Sequence, residues 1–176
     1  PTDPIRFSEV TAAAGIDFVH YNGFTGKYFY VETFGGGAAF FDYDGDGWLD
    51  LYLGNGTYLK GYPPDPLPVN RLYRNLDDGR FAATDANLDA PQYGFGVSAA
   101  DYDSDGDQDL FVANYGPNAF YRNDGTAFAD ITATAGLEDP RWGSSTGFLD
   151  YDQDGDLDLF VANYVRFSLA DNTVCK

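Results

Sequence analysis

The stretch Asp42-Tyr43-Asp44-Gly45-Asp46-Gly47-Trp48-Leu49-Asp50 decides the fold, because the chain repeats its pattern twice more. The second copy is residues 101–109 (DYDSDGDQD) and the third is residues 150–158 (DYDQDGDLD). We call these stretches aspartate loops 1, 2 and 3. Each reads D-Y-D-x-D-G-x-x-D and runs directly into an apolar, strand-like segment. This recurrence predicts a structure made of copies of one unit.

Further repeated pieces give the unit a fixed internal order. A small-residue strand precedes each loop, and a strand follows it. Next comes a hexapeptide, residues 70–75 (NRLYRN) or 118–123 (NAFYRN), and a Gly-containing turn. A segment with the pattern of residues 128–137 (FADITATAGL) completes the unit, and residues 7–16 (FSEVTAAAGI) resemble it closely. This order predicts four sequentially antiparallel strands per unit.

The loops begin at residues 42, 101 and 150, so the repeat intervals are 59 and 49 residues. Repeated four-stranded units of this length are typical of β-propeller blades. The longer first interval contains a Pro-rich insertion at 58–69, which is expected to be an exposed loop. The fold class is therefore expected to be all-β.

The predicted division has four parts. Residues 1–34 are an N-terminal segment with an outer blade strand at 6–16, and 35–93 and 94–143 are blades with loops 42–50 and 101–109. Residues 144–176 are a partial blade with loop 150–158. About three blades do not close a ring of four to eight. Either the chain is part of a longer polypeptide, or neighbouring chains complete its blades.

The composition of the chain argues against some classes of function and favours cation binding. The formal net charge is −18, which argues against nucleic acid as a partner, because phosphate binding needs clustered Lys and Arg. The four Asp that each loop shares in the common pattern account for 12 of the 28 acidic residues, and clustered carboxylates repel one another unless a cation neutralises them. No segment approaches 18 consecutive apolar residues, so no membrane span is predicted.

The loop pattern favours Ca²⁺. Short Asp side chains at loop positions 1, 3 and 5 converge on one point, Gly at position 6 allows a sharp turn, and the position-7 carbonyl and position-9 Asp complete an all-oxygen set. A flanking helix pair and a Glu at position 12, which an EF-hand requires, are missing from the pattern. We expect about three Ca²⁺ ions, one per loop. The predicted ligands are Asp42, Asp44, Asp46, Trp48 and Asp50; Asp101, Asp103, Asp105, Asp107 and Asp109; and Asp150, Asp152, Asp154, Asp156 and Asp158.

A family resemblance follows from these motifs. The segment Phe34-Gly35-Gly36-Gly37-Ala38 and the loop after it resemble FG-GAP/VCBS repeats, the blades of the integrin α-subunit propeller. The pairs Asn22-Gly23 and Glu32-Thr33 and the Y-R-N strands are similar to the cartilage acidic protein (ASPIC/UnbV) group of secreted repeat proteins. The resemblance implies a seven-bladed propeller with calcium between the first two strands of its blades. It is specific for fold and calcium and says little about activity.

Other residues carry weaker signals. Asn55-Gly56-Thr57 is an N-glycosylation sequon, which is either used or a chance match. His20, the single histidine, is expected to pack or hydrogen-bond rather than to catalyse. Cys175 is either an unpaired thiol or a partner for another cysteine outside the chain.

Aromatic residues divide into two predicted groups. Those in loops can stack on sugars or partner proteins: Tyr58, Tyr62, Tyr93, Tyr115 and Tyr164. The strand pattern places a second group inside the blades: Phe40, Tyr52, Phe111, Phe148 and Phe160.

The sequence thus predicts a secreted or cell-surface calcium-binding module that binds a protein or glycan in adhesion. A self-assembling fibre subunit with strands exchanged between copies is the first alternative. A carbohydrate-active enzyme domain is the second, since acid pairs are abundant. No catalytic residues are predicted, because the chain has no nucleophile motif and its Asp residues are committed to cations.

Overall fold

A computed structural model of the chain describes residues 4–59, 67–88, 92–125 and 127–172. Regular structure in these residues consists of ten β-strands and two short 3₁₀ turns, Tyr30–Thr33 and Leu169–Asp171. The strands are β1 (Ala38–Phe41), β2 (Asp50–Leu53), β3 (Arg71–Asn75), β4 (Phe81–Ala83), β5 (Gly94–Ala100), β6 (Asp109–Asn114), β7 (Ala119–Asn123), β8 (Phe128–Asp130), β9 (Gly143–Leu149) and β10 (Asp158–Asn163). The predicted all-β fold is confirmed.

The strands form three separate antiparallel sheets. The first has the order β1-β2-β3-β4, the second has the order β5-β6-β7-β8, and the third pairs β9 with β10. Neighbours in sequence are neighbours in each sheet, which is the up-and-down arrangement of a propeller blade. The structure therefore contains two four-stranded blades and a two-stranded third sheet, as the repeat predicted.

The first strands of the three units lie side by side, with β5 against both β1 and β9. Glycine residues allow these first strands to lie close together. A Cβ on Gly37 would lie 2.2 Å from the carbonyl oxygen of Phe95, and one on Gly96 would lie 2.9 Å from Cα of Ser145. Gly37 before loop 1 and Gly96 before loop 2 are therefore required by contact between neighbouring units.

Two apolar cores lie between the sheets. The first joins blade 1 to blade 2 and includes Phe41, Tyr52 and Leu72 from one side and Leu110 and Tyr121 from the other. Blade 2 meets the third sheet in the second core, where Phe111 and Phe120 pack against Phe148, Leu159 and Val161. Both faces of blade 2 are thus covered, and all six residues of β6 are buried.

The structure corrects part of the predicted interior. Tyr52 and Phe111 are fully buried, and Phe148 is partly buried, but Phe40 and Phe160 are each 62% exposed. The prediction assumed that a blade covers each face of every sheet. Among the described residues, no sheet packs on the face of β1 that bears Phe40 or on the face of β10 that bears Phe160.

The outer strand predicted at 6–16 is also wrong. Residues 11–15 form a hydrogen-bonded turn, and residues 6–10 lie in no strand. The turn repeats in residues 132–136, where Ala135 N–H donates to Ile131 O as Ala14 N–H donates to Val10 O. Small residues and Gly allow this tight turn where the pattern had suggested a strand.

This turn still has a defined place in the blade. The Phe81 N–H at the start of β4 donates to Ala14 O at 2.8 Å. The Phe128 N–H at the start of β8 donates in the same way to Ala86 O, at 3.2 Å. The N-terminal segment therefore caps the outer strand of blade 1 as the end of blade 1 caps blade 2.

Aromatic residues fill the end of the sheets opposite the aspartate loops. Trp142 lies at the centre, with ring centroids 5.2 Å from Phe34 and 5.5 Å from Tyr164. Tyr93 is buried there, and Tyr115 is partly buried with its ring 5.4 Å from that of Trp142. Tyr93, Tyr115 and Tyr164, which the sequence suggested as loop residues able to stack on a ligand, instead pack in this aromatic cluster, where Tyr164 stays partly exposed.

Some predictions fall on residues outside the described ranges. Most of the Pro-rich insertion lies there, including Tyr62, and so does Cys175. Tyr58, at the start of the insertion, is 37% exposed. No helix in the described residues has the length and apolar character needed to cross a membrane.

Candidate metal centres in the aspartate loops

Each aspartate loop joins the first strand of its unit to the second: loop 1 lies between β1 and β2, loop 2 between β5 and β6, and loop 3 between β9 and β10. Position 9 of each loop is also the first residue of the second strand. The sheet therefore fixes both ends of every loop, and it places the three loops at the same end of their sheets.

The Asp at position 1 organises the loop backbone. In loop 1, the Asp42 carboxylate accepts the N–H groups of Asp46 at 3.1 Å and Gly47 at 2.8 Å. Asp101 and Asp150 accept the corresponding pairs of N–H groups in loops 2 and 3. Gly at position 6 has a positive φ in every loop, for example 89° at Gly47, which confirms why this position is Gly.

The Asp at position 9 ties the loop to the sheet. Its Oδ2 accepts the N–H of the Tyr at position 2, at 3.0 Å in loops 1 and 2 and at 2.8 Å in loop 3. In the two complete blades this Asp is fully buried, as Asp50 and Asp109. Asp158 in loop 3 is exposed. The loops share one hydrogen-bond pattern and differ in how deeply position 9 is covered.

Three carboxylates converge in each loop. Positions 1, 3 and 9 each place an oxygen within 4.8 Å of the others, and the sets are Asp42, Asp44 and Asp50; Asp101, Asp103 and Asp109; and Asp150, Asp152 and Asp158. Hard oxygen donors in such a set suit Ca²⁺ or Mg²⁺ and do not suit zinc. The structure thus brings together three of the five residues predicted as ligands in each loop.

Positions 5 and 7 lie outside these three-carboxylate sets. Asp46 Oδ1 accepts the Trp48 N–H at 2.9 Å, and Asp105 and Asp154 accept the position-7 N–H in the same way at 3.0 Å. Position 5 therefore braces the loop backbone. The coordinating roles of Asp46, Asp105 and Asp154, and of Trp48, Asp107 and Asp156, remain predictions.

One oxygen in loop 1 has no protein partner. Asp44 Oδ1 is buried and accepts no hydrogen bond, whereas Oδ2 of the same carboxylate pairs with Arg74 Nε at 2.6 Å. A buried carboxylate oxygen without a donor is costly unless a cation or proton satisfies it. The residues of loop 1 therefore fit a bound cation.

Electrostatics in the loops also favours a cation. Burial, together with the nearby charges of Asp103 and Asp105, raises the pKa of Asp109 to about 6, against two backbone hydrogen bonds that lower it. The pKa of Asp50 is raised for the same first reason. Without a metal, the complete blades thus hold carboxylates whose charge is disfavoured, and a divalent cation would relieve that cost.

The sequence reasoning missed the role of the Asn that ends each Y-R-N strand. The Asn75 N–H donates to Asp50 Oδ1 at 2.7 Å, and the Asn123 N–H donates to Asp109 Oδ1 at 2.8 Å. The third strand therefore locks the position-9 carboxylate. The signal was the repeated N-x-x-Y-R-N hexapeptide. The sequence separation between its last Asn and the position-9 Asp differs in the two blades, and only the folded hairpin gives both pairs the same contact.

Asn55 is buried, with 4% of its surface exposed. Its Oδ1 accepts the Tyr21 N–H at 2.7 Å, and its Nδ2 donates to Val19 O and Val69 O. A glycan on Nδ2 would need that amide at the surface. The folded chain therefore favours a chance match of the sequon, and Asn55 has a structural role.

His20 hydrogen-bonds, as predicted. Its Nε2 accepts the Gly36 N–H at 3.0 Å, and partial burial lowers its pKa. The ring thereby joins the N-terminal segment to the residues before β1.

Comparison with known proteins agrees with this geometry. The model of the FG-GAP-like repeat matches the chain twice, over residues 42–112 and 101–161. Each match begins at an aspartate loop and ends in the second strand of the next unit. A search of curated proteins gives no match. Repeats of this family are commonly extracellular and generally mediate protein binding. Because the two matches together span more than half of its residues, the chain belongs to the FG-GAP-like repeat family.

Proposed function

We propose that this chain is a calcium-stabilised extracellular binding module, with one Ca²⁺ held by each aspartate loop. The observation that carries the proposal is the convergence of positions 1, 3 and 9 in all three loops, with a buried unpaired oxygen on Asp44. A bound cation would supply positive charge to these carboxylates. The chain's own residues supply the loop shape and the connection to the blade.

The connection to the blade explains what the cation would stabilise. Asp50 contacts the Tyr43 N–H within its loop and the Asn75 N–H on β3. A cation held by Asp42, Asp44 and Asp50 would therefore join the ends of β1, β2 and β3. The blade surface would then be rigid when presented to a ligand.

The proposed ligand is a protein or a glycan, and repeats of this family generally mediate protein binding. The narrower assignment to the cartilage acidic protein (ASPIC/UnbV) group, with secretion and a role in adhesion, is part of the proposal and rests on the sequence motifs. Repeats of this family are typically non-enzymatic, and no observation favours a glycan-cleaving activity or fibre assembly.

Calorimetric titration of the metal-stripped chain with Ca²⁺ tests the proposal. We expect about three binding events and a higher melting temperature in Ca²⁺ than in excess chelator. Asp103→Asn removes a carboxylate from loop 2 and should abolish one event. Asp78→Asn is the matched control, because Asp78 lies in the turn after β3 and pairs with Arg80.

An unchanged melting curve in chelator, together with no heat of binding at millimolar Ca²⁺, would refute structural calcium. A Mg²⁺ titration separates selective sites from general attraction of cations to an acidic chain. Mg²⁺ prefers smaller octahedral sites with bound water, so its binding should be weaker.

A further inference from the structure

Loop 1 is contacted by a cation of the chain itself. Arg74, the fifth residue of the hexapeptide 70–75, reaches from β3 to two carboxylates of the loop. Its Nε pairs with Asp44 Oδ2 at 2.6 Å, and its Nη2 donates to Asp46 Oδ2 at 2.8 Å. A guanidinium group is planar and always charged, so it suits such a double contact. An arginine therefore holds two of the residues predicted as calcium ligands in loop 1.

The equivalent arginine in blade 2 makes a different contact. Arg122 is the fifth residue of the hexapeptide 118–123, and it lies on β7 as Arg74 lies on β3. Its Nε donates to Asp124 Oδ1 at 2.9 Å, and none of the ion pairs described for the structure joins it to a carboxylate of loop 2. The two side chains thus start from matching places in their blades and bind different partners.

The residue two positions after each arginine explains this difference. In blade 2 this residue is Asp124, the partner of Arg122. In blade 1 it is Leu76, which is 40% exposed and has no side-chain acceptor. Two other arginines, Arg80 and Arg141, also pair with an Asp two residues away. An acidic residue at this spacing therefore competes with the loop for the guanidinium, and blade 1 has none there.

The contacts of Arg74 oppose a bound cation. Asp44 belongs to the three-carboxylate set of loop 1, and Asp46 occupies position 5, where the sequence predicts a ligand. A cation that takes Asp46 Oδ2 must first break its bond to the guanidinium. Even without contact, a unit positive charge about 6 Å from a divalent ion weakens binding by about tenfold at the dielectric constant of water.

We propose that Arg74 sets the calcium affinity of loop 1: it pairs with the loop carboxylates in the metal-free chain and must leave Asp46 when Ca²⁺ binds. This inference rests on the proposed calcium function. Asp124 keeps Arg122 from the same role in loop 2. Loop 1 therefore takes up Ca²⁺ at a higher concentration than it would without Arg74, and the residue that follows the Y-R-N strand tunes the affinity of each complete blade.

Calcium titration of the full chain, followed by the backbone amide shifts of each loop, tests the proposal. Arg74→Gln should raise the affinity of loop 1 by about tenfold or more. Arg122→Gln is the matched control, because it removes an arginine from the equivalent place in blade 2. It should raise the affinity of loop 2 by less than about threefold, since water and salt screen an exposed charge that does not contact the loop. Each loop is compared with itself, because Asp107 gives loop 2 an additional carboxylate at position 7.

A second pair of variants separates the contact from the charge. Leu76→Asp gives blade 1 the acceptor that blade 2 has, so Arg74 should leave the loop and the affinity of loop 1 should rise. The added negative charge also attracts Ca²⁺, and Leu76→Asp combined with Arg74→Gln measures that part alone. The gain from Leu76→Asp should be at least about threefold smaller in the combined variant, because residues in contact have non-additive effects.

The arginine side chains give a readout that does not depend on affinity. In nuclear magnetic resonance spectra, the Nε–H signal of Arg74 should move when Ca²⁺ is added to the chelator-treated chain. Its midpoint should match that of the loop 1 amides. The Nε–H signal of Arg122 should move much less, because its partner Asp124 lies outside the loop.

Two outcomes would overturn the proposal while leaving the calcium function in place. The first is an unchanged or lower affinity of loop 1 in Arg74→Gln, and a lower affinity would mean that Arg74 positions Asp44 for the cation. The second is an equal gain in Arg74→Gln and Arg122→Gln, which would reduce the effect to net charge. Absence of shifts in every loop at millimolar Ca²⁺, in the wild type and the variants alike, would refute the calcium function and this inference with it.

Discussion

The backbone N–H of Asp42 in loop 1 donates a hydrogen bond to the side-chain Oε1 of Gln108 in loop 2, at 3.1 Å. A second bond crosses the same interface, because Asn123 Nδ2 donates to Tyr43 O at 2.7 Å. Position 8 is Gln only in loop 2, and it is Leu in loops 1 and 3. The link is therefore specific to the first pair of loops.

This link predicts communication between loops 1 and 2. Gln108→Leu should lower the affinity of loop 1 for Ca²⁺ by about fivefold, because coupling free energies of this kind are about 1 kcal/mol. Calcium titration followed by amide shifts in each loop measures the effect. Loop 3 lacks the link and is the internal control. Equal changes in all three loops would mean that the substitution acts on general stability.

Contact between neighbouring first strands predicts a sharp difference between glycines. Gly96→Ala places a Cβ 2.9 Å from Cα of Ser145, so the two strands must separate. We expect a loss of about 1–3 kcal/mol in the free energy of unfolding, measured by denaturant titration. Gly147→Ala is the control, since a Cβ there meets nothing within 4 Å. Similar losses in both variants would contradict the close-approach explanation.

The raised pKa of Asp109 predicts how the stability of the metal-free chain depends on pH. Burial raises its folded-state pKa to about 6, above the ordinary value of 3.8, so the folded state holds this proton more tightly than the unfolded state. The stabilisation is fully present below about pH 4 and is lost as pH rises through about 6. In thermal unfolding measured in chelator, the contribution of Asp109 to the melting temperature should therefore fall between pH 4 and 7.

Calcium should reverse that trend, because the charged form of Asp109 is the form that binds a cation. Asp109→Asn removes the titrating group and should flatten the profile between pH 4 and 7 in chelator. A wild-type chain that gains stability between pH 4 and 7 in chelator would contradict the assignment to Asp109.

Burial of Asn55 predicts that the sequon stays unmodified. Mass spectrometry of the chain secreted from eukaryotic cells should show no glycan at this site. Asn55→Ala should destabilise the fold by about 1–3 kcal/mol, because it leaves the Tyr21 N–H without its acceptor. Thr57→Ala destroys the sequon and keeps Asn55, so it should change neither the mass beyond the substitution nor the stability by more than a small amount. A glycan-sized mass loss in the Thr57 variant would show that the site is used.

Local sequence was sufficient for the strand order and the loops. The D-Y-D-x-D-G-x-x-D pattern fixes which carboxylates can converge, because the position-1 Asp binds the loop's own N–H groups and Gly47, Gly106 and Gly155 adopt the required positive φ. These contacts lie within one loop, so spacing alone specifies them. The same locality explains why the sheet order followed from the repeat.

Segments whose structure depends on a neighbour were harder to predict. The N-terminal segment has the composition of the residues after β8, and both form a turn where a strand was expected. The exposure of Phe40 and Phe160 could not be predicted from alternation, since it depends on which sheet faces are covered. Asn55 reads as a surface sequon, yet its amide joins three separate segments.

The sequence by itself determined the repeat unit, the loop geometry and the positions at which carboxylates meet, since each rests on contacts between residues close in the chain. Only the tertiary structure decided the depth of each site and the link from Asp42 to Gln108. Those features arise where one unit meets another, and packing between units depends on which neighbours are present. The three loops are therefore nearly identical as sequences, while their position-9 carboxylates are buried at Asp50 and Asp109 and exposed at Asp158.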